Sequence, residues 1–200
     1  MSDLFHQKAA DWDGQTIPQQ LSQTIGPAII ENIHLHPNME VMDFGAGTGL
    51  LSTHIVPLVK SVAAVDISQS MLTQLTSKPE FKDKVTAFCQ DILKEPLNRE
   101  FDLIISAMAM HHVEDTSLML QRFAEHLKPG ALIALADLDA EDGTFHPPQT
   151  EGVFHLGFER EVFQRQLETA GFEEIEFFTA HIVRKDHQEF PIFLIKGRKR

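Results

Sequence analysis

The 200-residue sequence has no tyrosine, a single tryptophan (Trp12) and a single cysteine (Cys89). One cysteine rules out an intrachain disulfide and fits a reducing compartment. No apolar run approaches the roughly 20 residues needed to span a bilayer. The leading residues Met1, Ser2, Asp3, Leu4, Phe5 and His6 lack the basic-then-apolar order of a secretory signal. A cytoplasmic chain with no membrane partner is therefore expected. Positive charge is scarce: 17 Lys and Arg against 29 Asp and Glu leave a formal net charge of −12. Such a surface repels phosphate backbones, which argues against DNA or RNA as a partner. The basic cluster Lys196, Arg198, Lys199 and Arg200 stands at the end of the sequence and reads as a solvated tail.

What is present suits one domain over residues 1–200, large enough to bury a core without staples. Apolar runs alternate with amphipathic ones, the pattern of an α/β fold with a parallel sheet and helices on both faces. Strands are expected at 39–44, 62–66, 85–89, 101–106 and 131–136. Helices are expected at 18–33, 50–58, 115–127 and 160–170, with Ser68 capping another and Pro129-Gly130 stopping the third. Residues 172–183 and 190–195 read as two long strands. Their link, 184–189, is too short for a parallel crossover, so they should pair antiparallel. Residues 1–35 read as an N-terminal cap and helix, with no clear period before residue 18.

The strongest motif is Asp43-Phe44-Gly45-Ala46-Gly47-Thr48-Gly49, between a strand and a helix. Glycines there let the chain turn sharply and let a ligand approach the backbone. A dinucleotide fingerprint would place a further glycine where Leu50 stands. Asp43, two residues before the first glycine, would repel a pyrophosphate and suit an ammonium or a sulfonium, if it does more than cap the turn. Asp66 ends the second strand, 21 residues after Gly45, where an acid can accept from ribose hydroxyls. Asp91 follows the third strand and can accept from an adenine amino group. Ile67, Met71 and Ile92 can sandwich the ring. Three acids at three strand ends, with no basic residue among them, describe an adenosine with a positive appendage and no phosphate.

In these residues the chain resembles the class I S-adenosylmethionine (SAM)-dependent methyltransferases of the small-molecule type. The likeness covers about residues 36–137. It implies a Rossmann-like, mostly parallel seven-stranded sheet with order 3-2-1-4-5-7-6, and SAM as cofactor. It places the glycine-rich motif on Asp43–Gly49, including Ala46, Gly47 and Thr48. It places the ribose acid on Asp66, the adenine-edge acid on Asp91, and the methionine part near Ala107 and Met108. Leu127-Lys128-Pro129-Gly130-Ala131 matches the family's segment before the fifth strand, with Ala131 where the family has a glycine.

Substrate residues are less legible. His111-His112 follows the fourth strand, at the rim where open α/β sheets bind ligands, and His112 is the better candidate base. Residues 137–158 form a long segment at the same rim, a candidate lid with Phe145, Phe154 and Phe158. His146 and His155 within it are further catalytic candidates. Its acids and histidines could hold a metal, but no tight ligand motif is present and none is expected. Phe5, Trp12 and Asp13 either fold over the cofactor or belong to a loose terminus. The Asn-Pro-Pro-Tyr-like motif that marks amino-group methylation of bases or glutamine in enzymes the chain resembles does not follow Ser106, which points to an oxygen, carbon, sulfur or other small-molecule nucleophile. Rival readings are a nicotinamide-dependent oxidoreductase, and a non-catalytic SAM-binding or partner-regulating protein of the same fold.

Overall fold

The computed structural model describes residue 3 and residues 5–200. Met1, Ser2 and Leu4, part of the expected N-terminal cap, lie outside the described residues. Strands β1 (Glu40–Phe44), β2 (Ser61–Asp66), β3 (Val85–Cys89), β4 (Phe101–Ala107), β5 (Leu127–Leu138), β6 (Phe172–Lys185) and β7 (Gln188–Lys199) form one sheet. Their order is β3-β2-β1-β4-β5-β7-β6, as expected. β1 to β5 run parallel, while β7 is antiparallel to both β5 and β6.

The central strands are apolar without alternation because both faces are covered. Val41, Leu103 and Ile105 face one core with Ile25 and Ile29 of α1 (Thr16–Asn32), Ile55 of α2 (Ser52–Ile55) and Leu72 and Leu75 of α3 (Gln69–Ser77). Met42 and Ile104 face the other, with Met119, Leu120 and Phe123 of α4 (Thr116–Glu125) and Phe163 and Leu167 of α5 (Arg160–Thr169). Two caps set helix starts. Ser68 Oγ accepts from Met71 N at 3.2 Å, and Asp115 Oδ1 accepts from Leu118 N at 2.8 Å. Among the described residues no helix is long and apolar enough to cross a membrane.

Four expectations need correction. The helix after the glycine turn is short, because Pro57 interrupts it and residues Val56–Leu58 tighten into a 3-10 turn. The third expected helix ends at Glu125, before Pro129-Gly130; Leu127 already pairs with Phe101, and β5 starts there through a register shift. The basic cluster is no solvated tail. Lys196 and Arg198 lie in β7 and pair with Glu176 and Glu174 of β6, each at 2.8 Å. The β6–β7 link shrinks to Asp186-His187, both in the left-handed region (φ 51° and 67°) that a tight hairpin turn requires.

Candidate active site

The glycine turn leaves β1 with Gly45, Gly47 and Gly49 at φ 69°, 54° and 83°. The first two glycines serve different ends. A Cβ on Gly45 would lie 2.2 Å from the Ala109 Cβ, so that glycine lets β4 and the turn approach. A Cβ on Gly47 would meet nothing within 4 Å, so the space above it is open. Gly45 and Ala46 donate their N–H groups to the Val65 carbonyl at 2.8 and 3.1 Å, fixing the turn against β2.

Asp43 sits beneath this turn. It is 1% exposed, and its Oδ2 accepts from Ser52 Oγ at 2.6 Å. Burial pushes its carboxyl up to about 7, against the Ser52 hydrogen bond and with added repulsion from Asp66. Asp66 accepts from Gly47 N and from Ser68 N, both at 2.8 Å. Burial raises its carboxyl above the usual range despite those N–H donors. Next to it Ile67 is 64% exposed, an outward apolar side chain, whereas Met71 and Ile92 are buried. Asp91 is engaged locally: Oδ1 accepts from Leu93 N at 3.1 Å and Oδ2 pairs with Lys94 Nζ at 2.6 Å. Ala107 and Met108 end β4 on the same rim. Met108 holds φ 57° while donating its N–H to the Ala136 carbonyl at 2.9 Å. A left-handed methionine is uncommon, and it turns the chain so that Ala109 faces Gly45.

The leading segment folds over this crevice. Asp3 Oδ2 accepts from Ser70 N at 3.1 Å, and His6 Nδ1 lies 2.7 Å from Ser70 Oγ. A 3-10 turn, Ala9–Gly14, carries Trp12 and Asp13. Asp13 accepts from the Thr48 hydroxyl in the glycine turn and pairs with Lys78 Nζ at 2.6 Å. The Phe5 ring meets Trp12 edge-on at 6.0 Å and His112 edge-on at 5.7 Å.

His112 belongs to a group of three. His111 is 1% exposed and its Nδ1 lies 2.6 Å from Asp137 Oδ1. Asp137, fully buried at the end of β5, also accepts from Met110 N at 2.9 Å and His111 N at 3.2 Å. His146 Nε2 is 3.1 Å from His111 Nε2, and His112 Nδ1 donates to the Gly152 carbonyl at 2.7 Å. Burial alone would lower the His111 pKa, but the charge and hydrogen bond of Asp137 outweigh it and hold the ring above its usual value. Burial, then the charge on His111, lowers both His112 and His146 to about 4.

Sequence reasoning ranked His111 below His112 and placed Asp137 in the lid. In the fold Asp137 belongs to β5, and His111 is the ring it holds. His155 stands apart from the trio. Its Nε2 donates to the Val113 carbonyl at 2.9 Å and its ring lies 5.5 Å from Phe158, which fastens the long segment to the rim. Phe154 N and His155 N add bonds to the His111 carbonyl at 3.0 and 3.2 Å. The expected lid aromatics divide: Phe158 is buried against Phe163 at 4.7 Å, Phe145 packs on Phe190 at 5.3 Å, and Phe154 is 53% exposed.

The profile of a methyltransferase-domain family matches residues 41–130. An uncharacterised methyltransferase of Schizosaccharomyces pombe is 31% identical over 144 residues, covering 64% of this chain and 51% of that protein. An uncharacterised methyltransferase of Mycobacterium bovis is 32% identical over 119 residues, covering 58% of this chain and 56% of that one. The chain thus spans about half the length of these curated relatives. Among solved structures, the methyltransferase of a Haloferax volcanii complex with a methyltransferase activator superposes with TM-score 0.82 at 17% identity, covering 99% of this chain and 98% of that one. At that identity the likeness bears on the fold.

Proposed function

We propose that this chain is a class I methyltransferase, as its match to a methyltransferase-domain family over residues 41–130 supports, and that it transfers a methyl group from SAM to a small-molecule nucleophile. One observation carries the reading. A single rim of the sheet holds an open glycine cradle beside Asp66 on the β1–β2 side and a buried carboxylate–histidine group on the β4–β5 side.

The cradle suits an adenosine-bearing sulfonium. The open space at Gly47 admits the ligand to the backbone, and Asp66 can exchange its Gly47 N–H partner for ribose hydroxyls. Ile67, outward and apolar, offers a face for the adenine, with Met71 and Ile92 supporting it from below. Asp43 places a carboxyl under the turn, facing no basic residue of the motif. The methionine part would lie along Ala107 and Met108. Leu50 stands where a dinucleotide fingerprint has its third glycine, and the Asp43 carboxyl lies beneath the turn where a pyrophosphate would be repelled; both weigh against the nicotinamide reading. Asp91 would serve the adenine edge once Lys94 releases it.

When bound, SAM supplies an electrophilic methyl on a sulfonium. The chain's task is to hold the acceptor in line and exclude water. Phe5 and Trp12 close the crevice from the leading segment, and Phe145 closes it from the long β5–α5 segment. The histidine group faces the acceptor. His112 and His146, neutral at pH 7, present nitrogen lone pairs to the acceptor side of the crevice. His111 is set by Asp137, and His155 holds the segment in place. A screen of hydroxyl, thiol and carbon acids with methyl-labelled SAM tests the reading. Labelled product from the wild-type chain, and none from a His112→Ala/His146→Ala variant that still binds SAM, is expected. SAM binding without transfer to any acceptor class would favour the non-catalytic reading.

A further inference from the structure

We propose that His111, His112 and His146 form a binding site for one divalent transition-metal ion of the zinc class, with an open coordination position toward the acceptor. Each of the three rings offers a nitrogen, and the three nitrogens lie within 4.8 Å of one another. The inference deepens the methyltransferase reading and rests on it only for what the open position would hold.

Four observations carry it. First, His111 Nε2 and His146 Nε2 are 3.1 Å apart. Two facing imidazole lone pairs repel at that distance unless a proton or a cation lies between them. The separation is close to the edge of a tetrahedron with metal–nitrogen bonds of about 2.0–2.1 Å, roughly 3.3 Å. Second, the ring orientation is set from behind. Asp137 Oδ1 accepts from His111 Nδ1 at 2.6 Å, and the Gly152 carbonyl accepts from His112 Nδ1 at 2.7 Å. Each bond fixes the proton on Nδ1 and leaves the Nε2 lone pair free, as metal-ligating histidines require. Third, the partner of His111 is a carboxylate that is itself fully engaged by Met110 N, His111 N and Leu138 N. It offsets one positive charge of a divalent ion without competing as a ligand. Fourth, the surroundings are apolar: Phe5 stands edge-on to His112 at 5.7 Å, and Phe145 edge-on to His146 at 4.9 Å.

The donor set decides the metal class. Three imidazoles suit zinc, cobalt, nickel, iron or copper and not magnesium or calcium, which take oxygen ligands. Three protein ligands also leave room for a further one, the arrangement of sites that bind a reacting molecule. An acceptor hydroxyl or carbonyl oxygen is the ligand that fits there.

The test uses the full chain, stripped with a chelator and titrated with Co²⁺. One equivalent should bind, with visible bands of a low-coordinate cobalt centre, and Zn²⁺ should displace it while Mg²⁺ does not. His146→Ala should weaken Co²⁺ binding at least about 100-fold. His146→Gln, on the same half-exposed segment, should weaken it comparably and guards against a folding artefact. Asp137→Asn should weaken it by about 10- to 100-fold, the scale of lost outer partners. His36→Ala should leave it unchanged, which tests the neighbouring pair His34 and His36, whose rings lie 6.5 Å apart. Absence of stoichiometric binding, wild-type affinity in both His146 variants, or loss on His36→Ala instead would each overturn the site. SAM affinity of the metal-free chain is measured separately. SAM binding without cobalt binding defeats only the metal site, and cobalt binding without SAM binding defeats only the cofactor reading.

Discussion

Asp137 and His111, 26 residues apart in the chain, meet at 2.6 Å as a fully buried carboxylate–imidazole pair. Parallel pairing of β4 and β5 brings them together. Ala107 is level with Ala136, so Asp137 near the end of β5 and the residues just beyond β4 share the same rim. Asp137→Asn keeps an acceptor for the Met110 and His111 N–H groups but removes the charge that orients the ring. Turnover should fall by about 10²- to 10⁴-fold, the range of a positioned acid–base group. SAM affinity should change less than about threefold. Parallel kcat and SAM-binding measurements check this split; equal loss in both would make Asp137 a purely structural residue.

The two glycines of the turn should fail differently. Gly45→Ala drives a Cβ to 2.2 Å from the Ala109 Cβ, so it should lower the melting temperature. Gly47→Val meets open space, and the left-handed conformation costs about 1–2 kcal/mol. It should therefore leave a folded chain that no longer binds SAM. Thermal melts and calorimetry separate the two. A Gly47→Val variant with normal SAM affinity would leave the turn a structural device only.

Asp43 predicts a pH effect of definite sign. Its carboxyl is raised from 3.8 to about 7 in the fold. A raised folded value means that its contribution is fully present below about pH 4 and is lost as pH rises through about 7. Asp43→Asn, which can still accept from Ser52, should match the wild type in melting temperature only near pH 4 and gain on it as the pH rises toward 7. It should exceed it near pH 8, where the wild type carries a buried charge. The same variant should bind SAM more weakly, since the negative charge beneath the turn is gone. Parallel melting curves across this pH range would sink the assignment.

Asp13 clasps the leading segment to Thr48 and Lys78. Asp13→Ala should release that segment, raise KM for SAM several-fold and speed proteolysis before α1. Unaltered proteolysis and KM would show that Phe5 and Trp12 hold the segment without the clasp.

The strands, the glycine turn and the place of Asp66 at the end of β2 were legible because each rests on local chemistry: an apolar run, a turn that needs glycine, an acid at a strand end; the sheet order came from the family resemblance. The leading segment was less so. Phe5 and Asp13 read equally well as a loose terminus, and only the positions of Thr48, Lys78 and His112 decide between the readings. The histidine group was hidden for a related reason. His146 lies 35 residues beyond His111 in a segment without period, and Asp137 looked like one acid among several there. The usable signal was position: a histidine just past β4 and an acid at the end of β5, on adjacent parallel strands. The last basic residues misled because β7 continues through them beyond its apolar run, and the β6 partners of Lys196 and Arg198 are acidic.

The central claim is that Asp66 and the glycine cradle hold SAM. Calorimetric titration of SAM into the wild-type chain and into Asp66→Ala tests it most directly, with NAD as the competing ligand. The account predicts one saturable SAM site, no NAD binding, and a loss in the variant of about 1.5–3 kcal/mol, the scale of hydrogen bonds to a charged group. Heat from NAD and none from SAM, or an Asp66→Ala chain that is folded and binds SAM as the wild type does, would contradict it.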